Sequence, residues 1–497
     1  MIKLATYLTK NRAALFVVGL LLVVFLAGYF LMGQASFVRT TLSGLTIGSL
    51  YFMVAAGLTL IFGMMDVLNF AQGTMFMLGA YLGWQFYTNP TFLFGIAPLV
   101  SAAACGLTTA AVIRPIVMHW KVSEQWQKRL PYILYAAAAL IGVLALLGFD
   151  VLALSKTAMV ATTTADPLAE AKPQELLSTF WWRPVLLILA GMVAAVVYAR
   201  PGDFTQTVNR GDEKRGWIIA VILLALTVIL TLVREAAPVT VLLMDGNWRF
   251  FLALIATTLI GAGLGAVVEI SLLRPLYIRP LYQVLVTLGL AYVLRELAML
   301  LWNPVAYQMV RPPMFAQPGE ADTLWAWFTT GNSTVNIFGV TFPSYRLFII
   351  FLGVLMLVIL SLTIGYSRLG MIIRAGVQDR EMVEALGINV RRVFTIVFMI
   401  GAGLAALGGI GAAPFIPVEP GMGDVFLLQA FIVVVIGGMG SFSGAAIGAL
   451  LIGLARAFGD YLALSFNLTP AIAEASTVII MAFVLLVRPA GLFGRKE

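Results

Sequence analysis

Three acidic side chains fall inside long apolar runs, where a charge is expensive: Glu269, Glu296 and Asp460. A charge at the centre of a membrane helix costs about 2.5–3.5 kcal/mol on insertion scales, so it needs a partner or a wet cavity. Two chemistries are open. The three carboxylates could relay protons in an ion-coupled carrier. Alternatively, each is held structurally. Asp460 lies four residues after Arg456, a spacing that pairs them on one helix face. Glu269 lies one turn before Arg274 and can snorkel inward. Arg295 and Glu296 are adjacent, point to different faces and need other partners. Catalytic chemistry is poorly supplied. His119 is the only histidine, which excludes an HExxH zinc site and leaves a histidine triad without support. No lysine follows a glycine, so the phosphate loop GxxxxGK[ST] is absent and the chain does not hydrolyse ATP itself. No catalytic residue, cofactor or metal ligand is expected. Cys105 is the single cysteine, so no intrachain disulfide forms.

Polar residues of a second kind interrupt two apolar runs. In FGMMDVLNFAQGT (62–74) the interruption holds Asp66, Asn69, Gln72 and Gly73; in IGGMGSFSGAAIG (436–448) it holds Gly437, Gly438, Gly440, Ser441 and Ser443. Gly-interrupted segments in corresponding parts of two halves mark the discontinuous helices of transporters. Backbone freed at such breaks is tolerated where protein or water covers it. Helix N-termini there suit a carboxylate and C-termini an ammonium. The other reading makes both stretches tight turns that bring helices close through small residues.

These residues must be positioned by membrane helices. The 497 residues are 61% hydrophobic and 11% charged, with a mean hydropathy of +0.98. Apolar runs of membrane-spanning length recur throughout, and the alternation of a membrane barrel is absent. The expected fold is all-α: a polytopic helical protein in a lipid bilayer. Segments are expected near 13–32, 43–63, 74–88, 92–113, 131–149, 184–199, 217–233, 250–273, 282–301, 346–365, 393–413, 425–437, 441–464 and 471–487. The run 13–32 is longer than a signal-peptide core and reads as a retained helix. With both termini inside, cytoplasmic loops carry 21 Lys and Arg and outer loops 7, the bias expected of that orientation. The net charge of +8 follows from this and does not point to nucleic acid. The outer loops 150–183 and 302–345 show no domain with its own core, and Trp325 and Trp327 suit the membrane interface.

One cytoplasmic stretch, VQDREMVEALGI (377–388), is compact and polar. Residues 378–386 read as a short helix, with Asp379 near its N-terminus and Gly387 as a left-handed cap. Met382, Val383 and Leu386 share a face by helical spacing. So short a helix is not stable alone and needs a partner surface.

The run RAGVQDREMVEALGINVRRVFTIVFMIGAGLAALGGIGAAP resembles permease subunits of the branched-chain amino acid ABC importers. So do 44–84, the stretch SLLRPLYIRPLYQVLVTLGLAYVL (271–294), and VVVIGGMGSFSGAAIGALLIGLARAF (433–458). The resemblance implies an ABC importer permease with discontinuous helices. It implies two ATPase subunits, a second homologous permease, a periplasmic substrate-binding protein and a small-molecule substrate as partners. Its short cytoplasmic helix would dock on the ATPase through an apolar face, with Glu384, Ala385 and Gly387 matching the family's Glu-Ala-x-Gly core. Arg374, Arg380 and Glu384 would tune that contact beside Met382, Val383 and Leu386. Asn69, Gln72, Gly73, Gly437, Gly438, Gly440, Ser441 and Ser443 would line the pathway. The expected cargo is a branched-chain or other hydrophobic amino acid; urea or short amides, or ion-coupled secondary transport, are the alternatives. The pattern is departed from in the middle. The expected organisation is an extra helix in 1–40, a first core part in 41–89, an inserted region with about four helices in 90–249, and the remaining core with its docking loop 366–392 in 250–497.

Overall fold

The computed structural model describes residues 19, 26, 28–30, 32–65, 68–117, 124–163, 181–199, 210–277, 279–378, 380–469, 471–489 and 491–493. In chain order the helices are α1 (Gln34–Met65), α2 (Gln72–Thr88), α3 (Thr91–Thr108), α4 (Ala110–Val117), α5 (Glu124–Leu146), α6 (Val151–Thr163), α7 (Trp182–Ala199), α8 (Arg210–Val233), α9 (Ala236–Leu243) and α10 (Gly246–Val268). They continue as α11 (Pro280–Trp302), α12 (Leu324–Thr330), α13 (Ser344–Tyr366), α14 (Arg368–Gln378), α15 (Arg380–Ala385), α16 (Val390–Ala412), α17 (Met422–Gly437), α18 (Phe442–Ser465) and α19 (Ala471–Val487). Among the described residues nine helices are long and apolar enough to cross a membrane. The protein is a polytopic helical membrane protein. The expected segment 13–32 lies almost wholly outside the described residues.

The chain divides into two compact units, one of 1–84 with 246–497 and the other of 85–245. In the larger unit α1 is the central element. Every residue from Leu50 to Ile61 is buried, as befits a helix that is apolar on all sides. It packs along α18, α16, α17 and α13. Helix α16 in turn packs along α10. Small residues set these distances: a Cβ on Gly423 would come 2.7 Å from Gly73 O, so α2 and α17 approach backbone to backbone. Stacked rings tie α2 to the end of α11, with Tyr81 on Trp302 (4.8 Å between centroids) and Trp84 on Tyr307 (4.4 Å).

The expectation of a loop over 302–345 is corrected. A three-stranded sheet forms there, β1 (Gln317–Ala321), β2 (Asn332–Ile337) and β3 (Val340–Pro343), with β2 parallel to β1 and antiparallel to β3. Its core is shared: Phe315 packs on Tyr345 and Phe348 of α13 and stacks on Trp327. Trp327 is therefore buried, while Trp325 is exposed. Strands this short give little alternation to read, and their apolar partners lie in the membrane helix that follows.

In the smaller unit α3 and α7 cross at Gly106 and Gly191, where a Cβ on Gly191 would come 2.8 Å from Gly106 Cα. Thr227 of α8 donates to Ser101 of α3 at 3.0 Å. Helix α6 occupies part of the expected loop 150–183; residues 164–180 lie outside the described ones.

Candidate functional site

The first interruption falls between α1 and α2. Asn69 and Gln72 are both buried and meet: Asn69 Nδ2 donates to Gln72 Oε1 at 3.2 Å. Asn69 Oδ1 accepts from Ala71 N at 3.1 Å, closing an Asx-type turn. Gln72 Nε2 donates to Gly401 O in α16 at 2.8 Å, and Phe70 N donates to Thr287 Oγ1 in α11 at 3.3 Å. The break is thus cross-linked to two other helices through side chains, which satisfies polar groups that hydrocarbon would leave orphaned. Asp66 lies outside the described residues.

The second interruption joins α17 to α18 and is made by backbone. Gly438 and Gly440 have φ of 97° and 78°, a region that side chains strain to enter. Ser441 Oγ accepts from Gly444 N at 3.2 Å, an N-cap for α18. Gly437 is buried and Ser443 exposed. Leu492 N and Phe493 N donate to Ile436 O and Gly437 O at 2.8 and 3.0 Å. The two interrupted stretches touch at Gly63 and Gly440, but Gln72 is not brought to that contact. Gln72 packs against Gly57 of α1, whereas Gly440 sits beside Gly63, six residues or about 9 Å further along that helix.

The expected docking stretch is a helix–turn–helix. Helix α15 ends in a Schellman motif: Ile388 N donates to Val383 O (3.3 Å), Gly387 N to Glu384 O (3.0 Å), and Gly387 has φ of 80°. Met382 and Leu386 are 58% and 72% exposed, but Val383 is 2% exposed. Val383 therefore does not share the exposed face; it anchors the helix to the protein. Glu384 and Ala385 are on the exposed side. Arg374 is engaged at the end of α13, where Nη1 donates to Ile364 O (2.5 Å) and Gly365 O (3.0 Å), capping free carbonyls. Asp379 and the side chain of Arg380 lie outside the described residues.

Glu269, Glu296 and Asp460 each have an arginine within 4 Å. Glu269 is fully buried at the start of a π-helical turn, Glu269–Leu273. That i→i+5 turn stacks Arg274 over Glu269. Arg274 Nη2 and Nε donate to Glu269 Oε2 and Oε1 at 3.0 and 3.3 Å. Thr395 of α16 donates to Oε2 at 2.6 Å, and the Tyr277 hydroxyl donates to Oε1. Burial and that carboxylate push the Tyr277 phenol above its ordinary pKa. Arg456 Nε lies 3.6 Å from Asp460, and Nη1 lies 3.4 Å from Glu474. Arg295 finds a partner that its neighbours in sequence did not reveal: Nη1 donates to Asp424 Oδ2 of α17 at 2.9 Å. The separation of 129 residues leaves no local signal. Among the described residues no group of three His, Cys, Asp or Glu could hold a metal.

The family described as branched-chain amino acid transport system / permease component matches residues 216–488, more than half of the chain. The chain belongs to this permease family. Among curated relatives, the high-affinity branched-chain amino acid transport system permease protein LivH of Escherichia coli K12 is 38% identical over 140 residues, 28% of this chain and 44% of that protein. BraD, the corresponding permease protein of Pseudomonas aeruginosa, is 35% identical over 172 residues, 34% of this chain and 53% of its own length. A probable LivH of Methanocaldococcus jannaschii is 28% identical over 172 residues, 34% of this chain and 54% of its own. The chain spans about half the length of the curated relatives it matches. No solved structure matches it.

Proposed function

We propose that this permease is the membrane-spanning subunit of an ATP-driven importer that carries branched-chain or other hydrophobic amino acids into the cytoplasm. Two separate ATPase subunits hydrolyse ATP, a second homologous permease completes the pathway, and a periplasmic binding protein delivers the substrate. Both termini and the turn at 366–392 face the cytoplasm. The observation that carries the reading is the exposed, Schellman-capped helix α15, with Met382 and Leu386 outward and Val383 anchored beneath. An apolar pair on so short a helix is the kind of surface that a partner groove covers. Closure of the ATPases would push on α15, and because Val390 and Val393 of α16 are buried in the protein, the push would reach the helix that bonds Gln72. Access would switch as a population shift between two states with different partner affinity. The region 90–249 is read as an insertion and 1–40 as an extra helix; the division of contacts at 85–245 supports the first.

Purification of the tagged chain from native membranes under mild detergent tests this reading. ATPase subunits are expected to co-purify with the unsubstituted chain and to be lost with Met382→Glu/Leu386→Glu, Glu384→Arg or Gly387→Pro. Equal recovery with all of these variants would remove the docking assignment. Absence of any ATPase from the unsubstituted preparation would count against the importer itself.

A further inference from the structure

The Arg295–Asp424 pair lies in an unusual place for an ion pair. Arg295 is seven residues before the end of α11, so it sits about 10 Å inside that terminus. Asp424 occupies the first turn of α17, where the helix dipole favours an anion. The pair is not sealed: the side chains are 33% and 59% exposed. Charges open to hydrocarbon at such depth are costly, so this face meets water or protein. The guanidinium is also under-used. It lies over the Tyr292 ring, 5.4 Å from its centroid; its Nη1 bonds Asp424 and its Nη2 lies 3.9 Å from Glu296, while Nε is buried with no hydrogen-bond partner.

Beside the pair lies a cavity of about 320 Å³ to which Asp424 contributes a wall. Asn69 is the other polar wall, and the rest of the lining is apolar, with Leu58, Phe70, Leu427, Leu428 and Phe431. Its size is at the low end of small-molecule pockets, about 300–1,000 Å³. One cation, one anion and an adjoining apolar chamber match one chemical class: a zwitterion with a single aliphatic side chain.

We propose that Arg295 and Asp424 form the head-group subsite for a zwitterionic amino acid. The α-carboxylate takes the Arg295 guanidinium, the α-ammonium takes Asp424, and the aliphatic side chain enters the cavity. The zwitterion inserts between two charges that already neutralise each other, so the site is neutral before and after binding. Urea and short amides carry neither charge for the pair to read and leave the apolar chamber empty. The subsite rests on the transport reading above and adds the residues that would choose the cargo.

Thiol labelling of the assembled complex tests it. Cys105 is the only native cysteine, so Cys105→Ala/Leu428→Cys places one thiol in the cavity wall. Its rate of modification by a small methanethiosulfonate reagent is measured with L-leucine, leucinol, 4-methylpentanoate or urea present. L-leucine is expected to slow labelling by a factor of 1 + [L]/Kd, about tenfold at nine times Kd. Leucinol lacks the carboxylate, 4-methylpentanoate lacks the ammonium, and neither they nor urea protect at that concentration. Arg295→Gln and Asp424→Asn, each added to the thiol background and still purifying with its ATPases, lose the protection by leucine. Equal labelling with and without L-leucine, when the unsubstituted complex imports leucine, overturns the subsite alone. Protection that survives Arg295→Gln and Asp424→Asn does the same. Absence of any amino-acid import by the unsubstituted complex overturns the transport reading, and the subsite with it.

Discussion

The two interrupted membrane segments of the permease core are built by different means. Between α1 and α2 the chain turns on side chains: Asn69 and Gln72 bond each other, and Gln72 reaches across to Gly401. Between α17 and α18 it turns on backbone, with Gly438 and Gly440 at positive φ and one serine cap. The first turn is tied to α16 and α11, the second to the segment 491–493. Two polar interruptions that look alike in sequence therefore differ in what they couple. The first links separate helices and can pass a movement of α16 towards the cavity beside Asn69. The second holds a helical hairpin together.

This contrast predicts opposite sensitivities. Side-chain-held interruptions should fail when a side chain is shortened or made apolar, and backbone-held ones when a Cβ is added. The largest effect is expected at the π turn, which extends the side-chain class. Arg274→Leu strands the buried Glu269 carboxylate and should cost about 3–5 kcal/mol, read as a large fall in thermal stability in detergent; a small shift would place Glu269 among groups that water reaches. Gln72→Leu leaves an Asn69 amide hydrogen unpaired, at about 1–3 kcal/mol, and removes the cross-link to the Gly401 carbonyl, which keeps its own helical bond. Denaturant titration of that variant should show a clear loss, and no loss would remove the side-chain account of the first break. Gly440→Val forces a branched residue into the left-handed region and should cost about 1–2 kcal/mol, while Gly421→Ala, whose added Cβ would meet nothing within 4 Å, should be tolerated; equal melting temperatures for the two would break the contrast from the other side. Ser441→Ala removes only a cap and should cost about 1 kcal/mol, the smallest shift in the same melting assay.

How much of this was legible in sequence follows from the range of each interaction. The apolar runs from 43 onward fall on helices because burial and helical length are local properties. The left-handed cap at Gly387 was legible for the same reason, since a C-cap is written in a few neighbouring residues. The sheet over 317–343 was not, because Phe315 and Trp327 find their apolar partners in α13 rather than in their own strands. Val383 was placed on the outward face of its helix, yet it is turned inward. Helical spacing says which residues share a side, and neighbouring helices decide which side is covered. The Arg295–Asp424 pair could not be read at all: two charges on different helices carry no periodic signal, and only folding brings them to 2.9 Å. Glu269 reads in sequence as snorkelling inward one turn before Arg274; instead it is fully buried, and one turn of π-helix, which stacks residues five apart, brings the arginine to its carboxylate.

ATP-dependent uptake of labelled L-leucine is the most direct test. The permease is reconstituted in liposomes with its partner permease, its ATPases and its binding protein. The importer reading predicts that leucine accumulates inside only with ATP and magnesium on the ATPase face, that Met382→Glu/Leu386→Glu abolishes it, and that collapsing the proton gradient leaves it unchanged. Accumulation that needs no ATP and stops when the proton gradient is collapsed would contradict it, and would make this chain an ion-coupled carrier.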